Sequence, residues 1–319
     1  MSVTVVIVNW NAGPLLARCL ECLVRQTSAP QGVIVIDNAS TDGSLNRLPA
    51  VPGLLVACMG SNLGFAAGNN RALSMCETEF VALLNPDAFP EPTWLENLLA
   101  AAARHPGTAA FGSLQLTDAD DRVIDDIGDA YHLSGYVWQE AHGAKLRPEH
   151  LEPREIFSPC AAAALYRKDA LDEVGGFDED FFCYMEDSDL GFRLRLAGHA
   201  ARSVPDAVVR HVGSATSGGR RNDFAVYHGH RNLVWAFVRN MPGPLLWLFA
   251  PAHLLLTGVV MVRFALKRQL RVWLRAKRDA VRGLPRAWAK RRQTQATRKA
   301  SAGDIWRALD KRLIPGPRA

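Results

Sequence analysis

The chain has 319 residues, enough for one large α/β domain with an appendage or for two small domains. Its formal charge of +5 conceals an asymmetry, because residues 263–319 hold 18 Lys and Arg against three acids. Residues 1–262 therefore carry a net charge of −10, which indicates an acidic body followed by a basic tail. The first residues have no basic start and only a short apolar run, so we expect no export signal.

Six cysteines are scattered along the chain, and Cys19 and Cys22 have the spacing of a metal-binding or redox pair. They lie in an apolar helical stretch with no second pair downstream, so packing on a helix face is the favoured role. The cysteines indicate no disulfide framework, which fits a reducing cytosol.

Short apolar runs alternate with helical patterns through the first 115 residues. Runs without polar alternation are typical of strands buried on both faces, and their alternation with helices indicates βαβ units and a mostly parallel sheet. The predicted strands cover residues 3–8, 33–37, 54–58, 80–84 and 109–114, and the predicted helices cover residues 14–25, 42–48, 66–75 and 92–104. Ligands bind at the carboxyl ends of such strands, so the polar residues there are the candidate site.

The second half of the chain is less regular. Residues 116–155 are polar and weakly periodic, and they predict a loop or hairpin insertion. Order resumes at residues 158–166, before predicted helices from residue 168 and over 187–197, a strand over 204–209 and a long helix over 222–239.

Polar side chains follow the first three predicted strands. Asn9 comes at the end of the first strand and Asp37 at the end of the second, where a carboxylate can accept hydrogen bonds from a base or a ribose hydroxyl. Asp37 comes too early to cap the next helix, whereas Thr41 or Asp42 could be plain N-caps. Residues 61–70, with two glycines and three asparagines at a helix start, allow a backbone to approach a ligand, although many such starts are only turns.

The fourth predicted strand ends in Asn85, Pro86 and Asp87. A carboxylate fixed behind a proline can coordinate Mg²⁺ or Mn²⁺ beside a diphosphate, with an ordinary Pro-Asp turn as the alternative. His211 follows a later strand and could complete the metal shell or contact the diphosphate, although a lone histidine is more often structural.

Three arginines beyond that histidine are candidates for neutralising phosphate oxygens. They are Arg220, Arg221 and Arg231. For the first two, a solvated surface position is the default interpretation.

Acidic residues converge around a predicted helix start at residues 178–189. The helix dipole would keep Asp187 ionised there, and an ionised carboxylate is what a general base needs. N-capping would explain one or two of these acids but not readily all of them.

Each motif is weak alone, but together they are ordered and specific. The motifs are IVNWN at 7–11, DNASTDGS at 37–44, NLGFA at 62–66, NPD at 85–87, GGFDE at 175–179 and EDSDL at 186–190. From about residue 3 to 240, the chain resembles the inverting glycosyltransferase family 2, of GT-A fold, and its rhamnosyltransferase-like branch in particular. Two departures are Asn85, where many relatives have Asp, and Cys160-Ala161-Ala162, where relatives often have Gly-Ala.

The resemblance implies a role for each matching position on the donor side. Asp37 would hold the nucleotide base, with Asn9 near the same pocket. Asn62 and Gly64 would lie along the ribose and diphosphate, and Asn85 belongs to the same donor-binding set.

The resemblance also implies the reacting groups. Asp87 would take a divalent cation, Mg²⁺ or Mn²⁺, with His211 reaching the metal or the diphosphate. Asp187, next to Glu186 in the catalytic motif, would deprotonate the acceptor hydroxyl. Arg231 is a further candidate for the donor phosphates.

The tail begins with 18 residues, 245–262, that carry no formal charge. A membrane span needs about 20 residues, and Pro251 and His253 interrupt this run, so a short span, an in-plane helix and a packed core helix are all open. The basic residues that follow favour an anionic membrane surface on its cytoplasmic side. Interface anchors are expected at Trp273, Trp288 and Trp306. A nucleic-acid arm is the less favoured alternative.

These inferences predict a GT-A catalytic domain over residues 1–240, with a nucleotide-sugar half at about 1–115 and an acceptor half at about 156–240, and a membrane-associated basic tail over 241–319. The predicted enzyme moves a sugar, with rhamnose as the first guess, from a TDP-, UDP- or GDP-sugar to a lipid-linked saccharide in cell-surface polysaccharide synthesis. It would act at the cytoplasmic face of the inner membrane, peripheral or shallowly inserted, without a nucleic-acid partner. A nucleotidyltransferase and a non-catalytic membrane scaffold are the alternatives.

Overall fold

The computed structural model describes residues 1–213, 222–313 and 316. The predictions for Arg220 and Arg221 lie outside the described residues. The strands are β1 (Val3–Asn9), β2 (Gly32–Asp37), β3 (Leu54–Cys58), β4 (Phe80–Leu84), β5 (Ala88–Pro90), β6 (Thr108–Thr117), β7 (Asp120–Asp126), β8 (Asp129–Tyr131), β9 (Val137–Gln139), β10 (Glu155–Ile156), β11 (Ala163–Arg167) and β12 (Ala200–His211). The α-helices are α1 (Pro14–Val24), α2 (Gly64–Leu73), α3 (Trp94–Arg104), α4 (Lys168–Glu173), α5 (Glu186–Leu196), α6 (Asp223–Asn240), α7 (Gly243–Leu266), α8 (Leu270–Arg282), α9 (Leu284–Ala296) and α10 (Ala302–Ala308).

One sheet organises the fold, in the order β10-β12-β6-β11-β4-β1-β2-β3, with β5 beside β12 and β7 beside β6. Strands β3, β2, β1, β4, β6 and β12 run in one direction, and β11 lies antiparallel between β4 and β6. The predicted mostly parallel α/β sheet is confirmed. Because β11 runs backwards, its first residue, Ala163, pairs with Leu84 at the carboxyl end of β4. Residues 160–162 are thereby placed at the ligand-binding edge of the sheet.

The two faces of the sheet are covered by different helices, because alternate strand residues point in opposite directions. Val5 and Ile7 of β1 share one apolar cluster with α1 and α3, while Val6 shares the other with α2 and α5. Cys19 and Cys22 are free thiols buried in the first cluster, which confirms their predicted packing role.

Two local predictions are wrong. Residues 42–48 form turns instead of a helix: Gly43 adopts φ 77°, and the Asp42 carboxylate accepts hydrogen bonds from the Gly13 and Ser44 amides, so it caps no helix. Strand β3 is not buried on both faces, because it is the edge of the sheet and Leu55 is exposed.

The basic tail folds back onto the catalytic body. Helices α8 and α9 pack along α6, and apolar residues of α7 and α10 join a cluster with Tyr131 and Phe192. Trp273 is buried against α6 and is not an exposed membrane anchor as predicted, whereas Trp288 and Trp306 are partly exposed. The domain boundary at residue 240 stays a prediction, because the tail shares apolar packing with the rest of the chain.

Helix α7 has the length and apolar composition to cross a membrane, with a mean hydropathy of 2.0 over its most apolar 18 residues. Only 17% of that segment is buried inside the protein. Pro251 lies within the helix and does not end it, and His253 is buried with Nδ1 2.8 Å from the Ser134 carbonyl. The helix therefore continues through Pro251 and His253, and whether α7 spans a membrane or lies along its surface stays a prediction.

Candidate active site

The ends of β1 and β2 form a buried polar pocket. The Asn9 amide donates to Asp37 Oδ1 at 2.7 Å, to Ser44 Oγ at 2.9 Å and to Ser40 Oγ at 3.1 Å. The other Asp37 oxygen accepts from the Ser40 amide at 3.0 Å. Asn9 Oδ1 is buried and has no hydrogen-bond partner among the described residues. The two residues predicted to share the base pocket therefore do meet, and they are fixed by Ser40 and Ser44.

The start of α2 is bound to a loop from the second half of the chain. Asn62 Oδ1 accepts from the Gly64 amide at 2.8 Å, and the Phe182 carbonyl accepts from the amides of Phe65 and Ala66 at 2.7 and 3.2 Å. These amides are engaged within the protein, so the direct donor contacts of Asn62 and Gly64 stay predictions. Gly64 has φ 84°, and a Cβ there would lie 2.6 Å from the Phe182 carbonyl oxygen, so only glycine fits.

Asp87 and His211 meet at the candidate metal position. His211 Nε2 lies 3.3 Å from Asp87 Oδ1, and its Nδ1 is 2.8 Å from Asp125 Oδ2. Burial lowers the pKa of His211, but the neighbouring carboxylates of Asp125 and Asp87 outweigh burial and raise it to about 9. The Asp125 carboxylate fixes the orientation of the imidazole, as carboxylates commonly do for histidines that bind a metal through the other ring nitrogen.

The donor set fits a divalent cation that is shared with a diphosphate. In the part of the chain that the structure describes, no group of three His, Cys, Asp or Glu could hold a metal by itself. Asp87 and His211 would supply two ligands, and phosphate oxygens and water would supply the others, as Mg²⁺ commonly requires. Asn85 is partly buried, and its backbone amide donates to the Ala162 carbonyl at 2.8 Å.

The predicted base, Asp187, lies on the other side of the segment that contains Ala161 and Ala162. Asp187 Oδ2 is 3.5 Å from the Ala161 amide, and Oδ1 accepts from the Ser188 amide at 2.7 Å. Burial raises the pKa of Asp187, whereas the helix dipole alone would lower it. Glu186 is buried, with its pKa raised well above the usual range by burial and by the charge of Asp187.

Residues 181–185, called the base loop below, lead into Asp187 with strained backbone. Phe182, Tyr184 and Met185 have φ values of 64°, 66° and 72°, in the left-handed region that costs a non-glycine residue about 1–3 kcal/mol. Buried Asn232 of α6 donates its amide to the carbonyls of Phe181, Cys183 and Tyr184 at 2.9, 3.0 and 2.7 Å. This amide holds the base loop in place.

Arg231 also forms hydrogen bonds at the base loop. Its guanidinium donates to the carbonyls of Asp180 and Phe181 at 3.0 and 3.1 Å and stacks 4.5 Å over the Trp235 ring. Its predicted contact with the donor phosphates stays a prediction.

Several site residues were not predicted from the sequence. Asp125 and Asp129 lie in the segment interpreted as an insertion; Asp129 Oδ2 is 3.3 Å from Ser188 Oγ, which is itself 3.3 Å from Asp187 Oδ1. Burial, followed by the charge of Asp187, raises the pKa of Asp129 well above its usual range. The run of acids at 125–129 was the available signal. The sequence gives no signal for the role of Asn232, because a polar residue in a long helix is ordinarily solvated.

The mostly parallel α/β sheet is that of the GT-A fold, and comparison with known proteins identifies the family. Residues 4–175 match glycosyl transferase family 2. The chain is 31% identical, over 84% of its length and 95% of the other protein, to the N-acetylglucosaminyl-diphospho-decaprenol L-rhamnosyltransferase of Mycobacterium tuberculosis. It is 26% identical to the O-antigen chain rhamnosyltransferase RfbN of Salmonella typhimurium, over 71% of this chain and 70% of that one.

Solved structures share the fold. The S. aureus TarS 1–349 structure has a TM-score of 0.57 at 18% identity, covering 93% of this chain and 88% of that one. The mannosyltransferase PcManGT from Pyrobaculum calidifontis, solved with GDP-Man and Mn²⁺, has a TM-score of 0.52 at 20% identity, covering 96% and 87%. The chain therefore belongs to glycosyl transferase family 2 and is a nucleotide-sugar-dependent glycosyltransferase. This excludes the nucleotidyltransferase and scaffold alternatives.

Asp87→Asn is expected to weaken nucleoside diphosphate binding about tenfold or more in the presence of Mn²⁺, because a charged ligand of the cation is lost. Binding in EDTA should stay unchanged. Calorimetric titration with TDP, UDP and GDP measures both conditions, with Asp206→Asn as an exposed control. Equal Mn²⁺ dependence in the Asp87 variant and the native protein would contradict the assignment.

Proposed function

We propose that the enzyme transfers a sugar, with rhamnose as the first choice, from a nucleoside diphosphate sugar to a lipid-linked saccharide, with inversion at the anomeric carbon. The support for the sugar and the acceptor is the named activity of the Mycobacterium tuberculosis relative, which is similar over nearly its whole length. The pathway class, cell-surface polysaccharide synthesis, is supported by that relative and by RfbN.

The observation that carries the mechanism is the position of residues Ala161 and Ala162 between two functional motifs. The Ala162 carbonyl accepts from the Asn85 amide of the metal motif, and the Ala161 amide faces the Asp187 carboxylate. A sugar whose diphosphate lies at Asp87 would have its anomeric carbon between that anion and Asp187. This geometry suits a displacement in which the nucleophile and the leaving group occupy opposite faces.

In the proposed step, Asp187 accepts the proton of the acceptor hydroxyl as its oxygen bonds to the anomeric carbon. The bond from that carbon to the diphosphate oxygen breaks, and the nucleoside diphosphate leaves. A divalent cation held by Asp87 and His211 would neutralise charge on the departing diphosphate. A single displacement inverts the anomeric configuration.

The burial of Asp187 supports its role as the base. A carboxylate with a raised pKa is a stronger base, and it is still ionised at neutral pH as long as the pKa stays below 7. Glu186 differs from Asp187 because its buried Oε2 has no hydrogen-bond partner among the described residues. A direct catalytic role for Glu186 stays a proposal, and holding the start of α5 is the other role its position allows.

Asp187→Asn is expected to lower nucleoside diphosphate release in the presence of acceptor membranes by at least about 100-fold, since general base catalysis commonly contributes that much. Nucleotide affinity should stay within about twofold, because no nucleotide contact is assigned to Asp187. The native rate should fall as pH is lowered through the raised pKa of Asp187, because the base is then protonated. Near-native turnover by Asp187→Asn would contradict the assignment, and Asp206→Asn, at an exposed position, serves as the matched control.

The membrane location is proposed from α7 and the charge of the tail. Leu255, Val259 and Leu266 on α7 are exposed, and the residues that follow the helix are strongly basic. An apolar face beside cationic residues is typical of association with an anionic membrane surface. Because nucleotide sugars are cytosolic donors, we place the enzyme at the cytoplasmic face of the inner membrane.

Replacing Leu255, Val259 and Leu266 together by Ser should move most of the enzyme from the membrane fraction to the supernatant, because apolar contact area is removed at exposed positions. Sedimentation with vesicles containing phosphatidylglycerol measures this. The matched control replaces Val24, Leu55 and Leu151, three other exposed apolar residues, by Ser. Unchanged sedimentation of the α7 variant would show that this face does not bind the membrane.

A further inference from the structure

The tail helices and α6 enclose an apolar groove that is lined by none of the candidate site residues described above. A cavity of about 790 Å³ lies between α6, α7, α8 and α9, within the range of about 300–1,000 Å³ that small-molecule sites occupy. Its lining includes three tryptophans, Trp247, Trp273 and Trp288, together with aliphatic side chains of all four helices. Among the described residues that line it, none is acidic, whereas Lys277 and Arg292 are cationic.

Lys277 is held in this apolar setting without a counter-ion among the described residues. Its ammonium donates to the His230 carbonyl at 3.1 Å and lies 5.5 Å from the Trp273 ring centroid, and it forms no ion pair among the described residues. Burial lowers the pKa of Lys277 to about 8. A cation of this kind on the wall of an apolar groove is complementary to a ligand with an anionic head and a hydrocarbon tail.

The groove is coupled to the active site through α6. Val234, Phe237 and Val238 of this helix line the groove, and Arg231 and Asn232, one turn earlier, hold the base loop that leads into Asp187. A ligand that fills the groove therefore contacts the same helix that positions the proposed base.

We propose that this groove binds the isoprenoid chain of the lipid-linked acceptor, with Lys277 and Arg292 contacting its phosphate groups. The proposal rests on the proposed function, because a lipid-linked acceptor gives the enzyme a reason to hold a hydrocarbon chain. The exposed apolar face of α7 borders the groove and provides a path from the bilayer. The two cations, together with the lack of acids among the described lining residues, favour a phosphate-bearing lipid over a neutral one.

The groove can be mapped with a photoreactive geranylgeranyl diphosphate as the probe, added to the full-length protein in detergent. Crosslinked peptides identified by mass spectrometry should come from α6, α7 and α9 around residues 234–238, 247–257 and 284–292. Excess undecaprenyl phosphate should compete, whereas inorganic diphosphate and dioleoyl-phosphatidylglycerol should compete at least about tenfold less well, because neither has an isoprenoid chain with a phosphate head. Equal competition by phosphatidylglycerol would show a general lipid site and overturn the proposal.

Two substitutions test the groove itself. Ala289→Trp places a large ring in the groove from an exposed position, and it should reduce probe labelling at least tenfold; Ala296→Trp, exposed on the same helix but outside the groove, is the matched control. Lys277→Met should weaken labelling by the diphosphate probe about tenfold, as expected for the loss of a charge-assisted contact, while leaving a photoreactive geranylgeraniol unaffected. Undiminished labelling of Ala289→Trp, or equal loss with both probes in Lys277→Met, would overturn the proposal.

These measurements need no sugar donor, so they separate the groove from the reaction. Labelling of the groove by an enzyme that transfers no sugar would support the proposal for the groove and contradict the proposed function. Sugar transfer to a lipid-linked acceptor by an enzyme whose groove is not labelled would contradict only the proposal for the groove.

Discussion

The structure depends on the side-chain amide of Asn232, which satisfies three carbonyls of the base loop at once. This loop carries three non-glycine residues in left-handed conformations, and such backbone persists only where its surroundings determine it. The loop in turn supplies the Phe182 carbonyl that binds the start of α2 and the residue that precedes α5. This strained segment therefore contacts both the donor half and the acceptor half of the site, and α6 holds it.

The tail completes this arrangement. Asp178, in the GGFDE motif, forms ion pairs with Arg239 of α6 and with Lys290 of α9. Asp180 forms two further ion pairs, with Lys290 and with Arg286, and both N–O distances are 2.5 Å. The acidic motif that precedes the base loop is thus neutralised by the basic tail. This pairing gives a physical reason for part of the charge asymmetry of the chain, because positive charge of the tail neutralises acids of the body onto which the tail folds.

Much of the fold could be predicted because it is encoded locally. The strands that end at Asn9 and Asp37, and the strand β4 that precedes Asp87, are continuous apolar runs. The rule that ligands bind at strand ends is enough to predict that these residues lie at one edge of the sheet. The turn at residues 42–48 could not be predicted, because Asp42 bonds to Gly13, a partner distant in sequence. Asn232 was missed for the same reason, since its three carbonyl partners lie about 50 residues earlier.

The most direct test of this account is hydrogen exchange of the base loop in Asn232→Leu, which keeps the approximate size of the side chain but removes its donors. The amides of residues 181–187, together with those of Phe65 and Ala66, are predicted to exchange at least about tenfold faster, while the strands of the sheet keep their protection. Asn97→Leu, which also removes a carboxamide bonded to a backbone carbonyl, is the control. Native-like protection of the base loop in Asn232→Leu would contradict the claim that α6 holds the base in position.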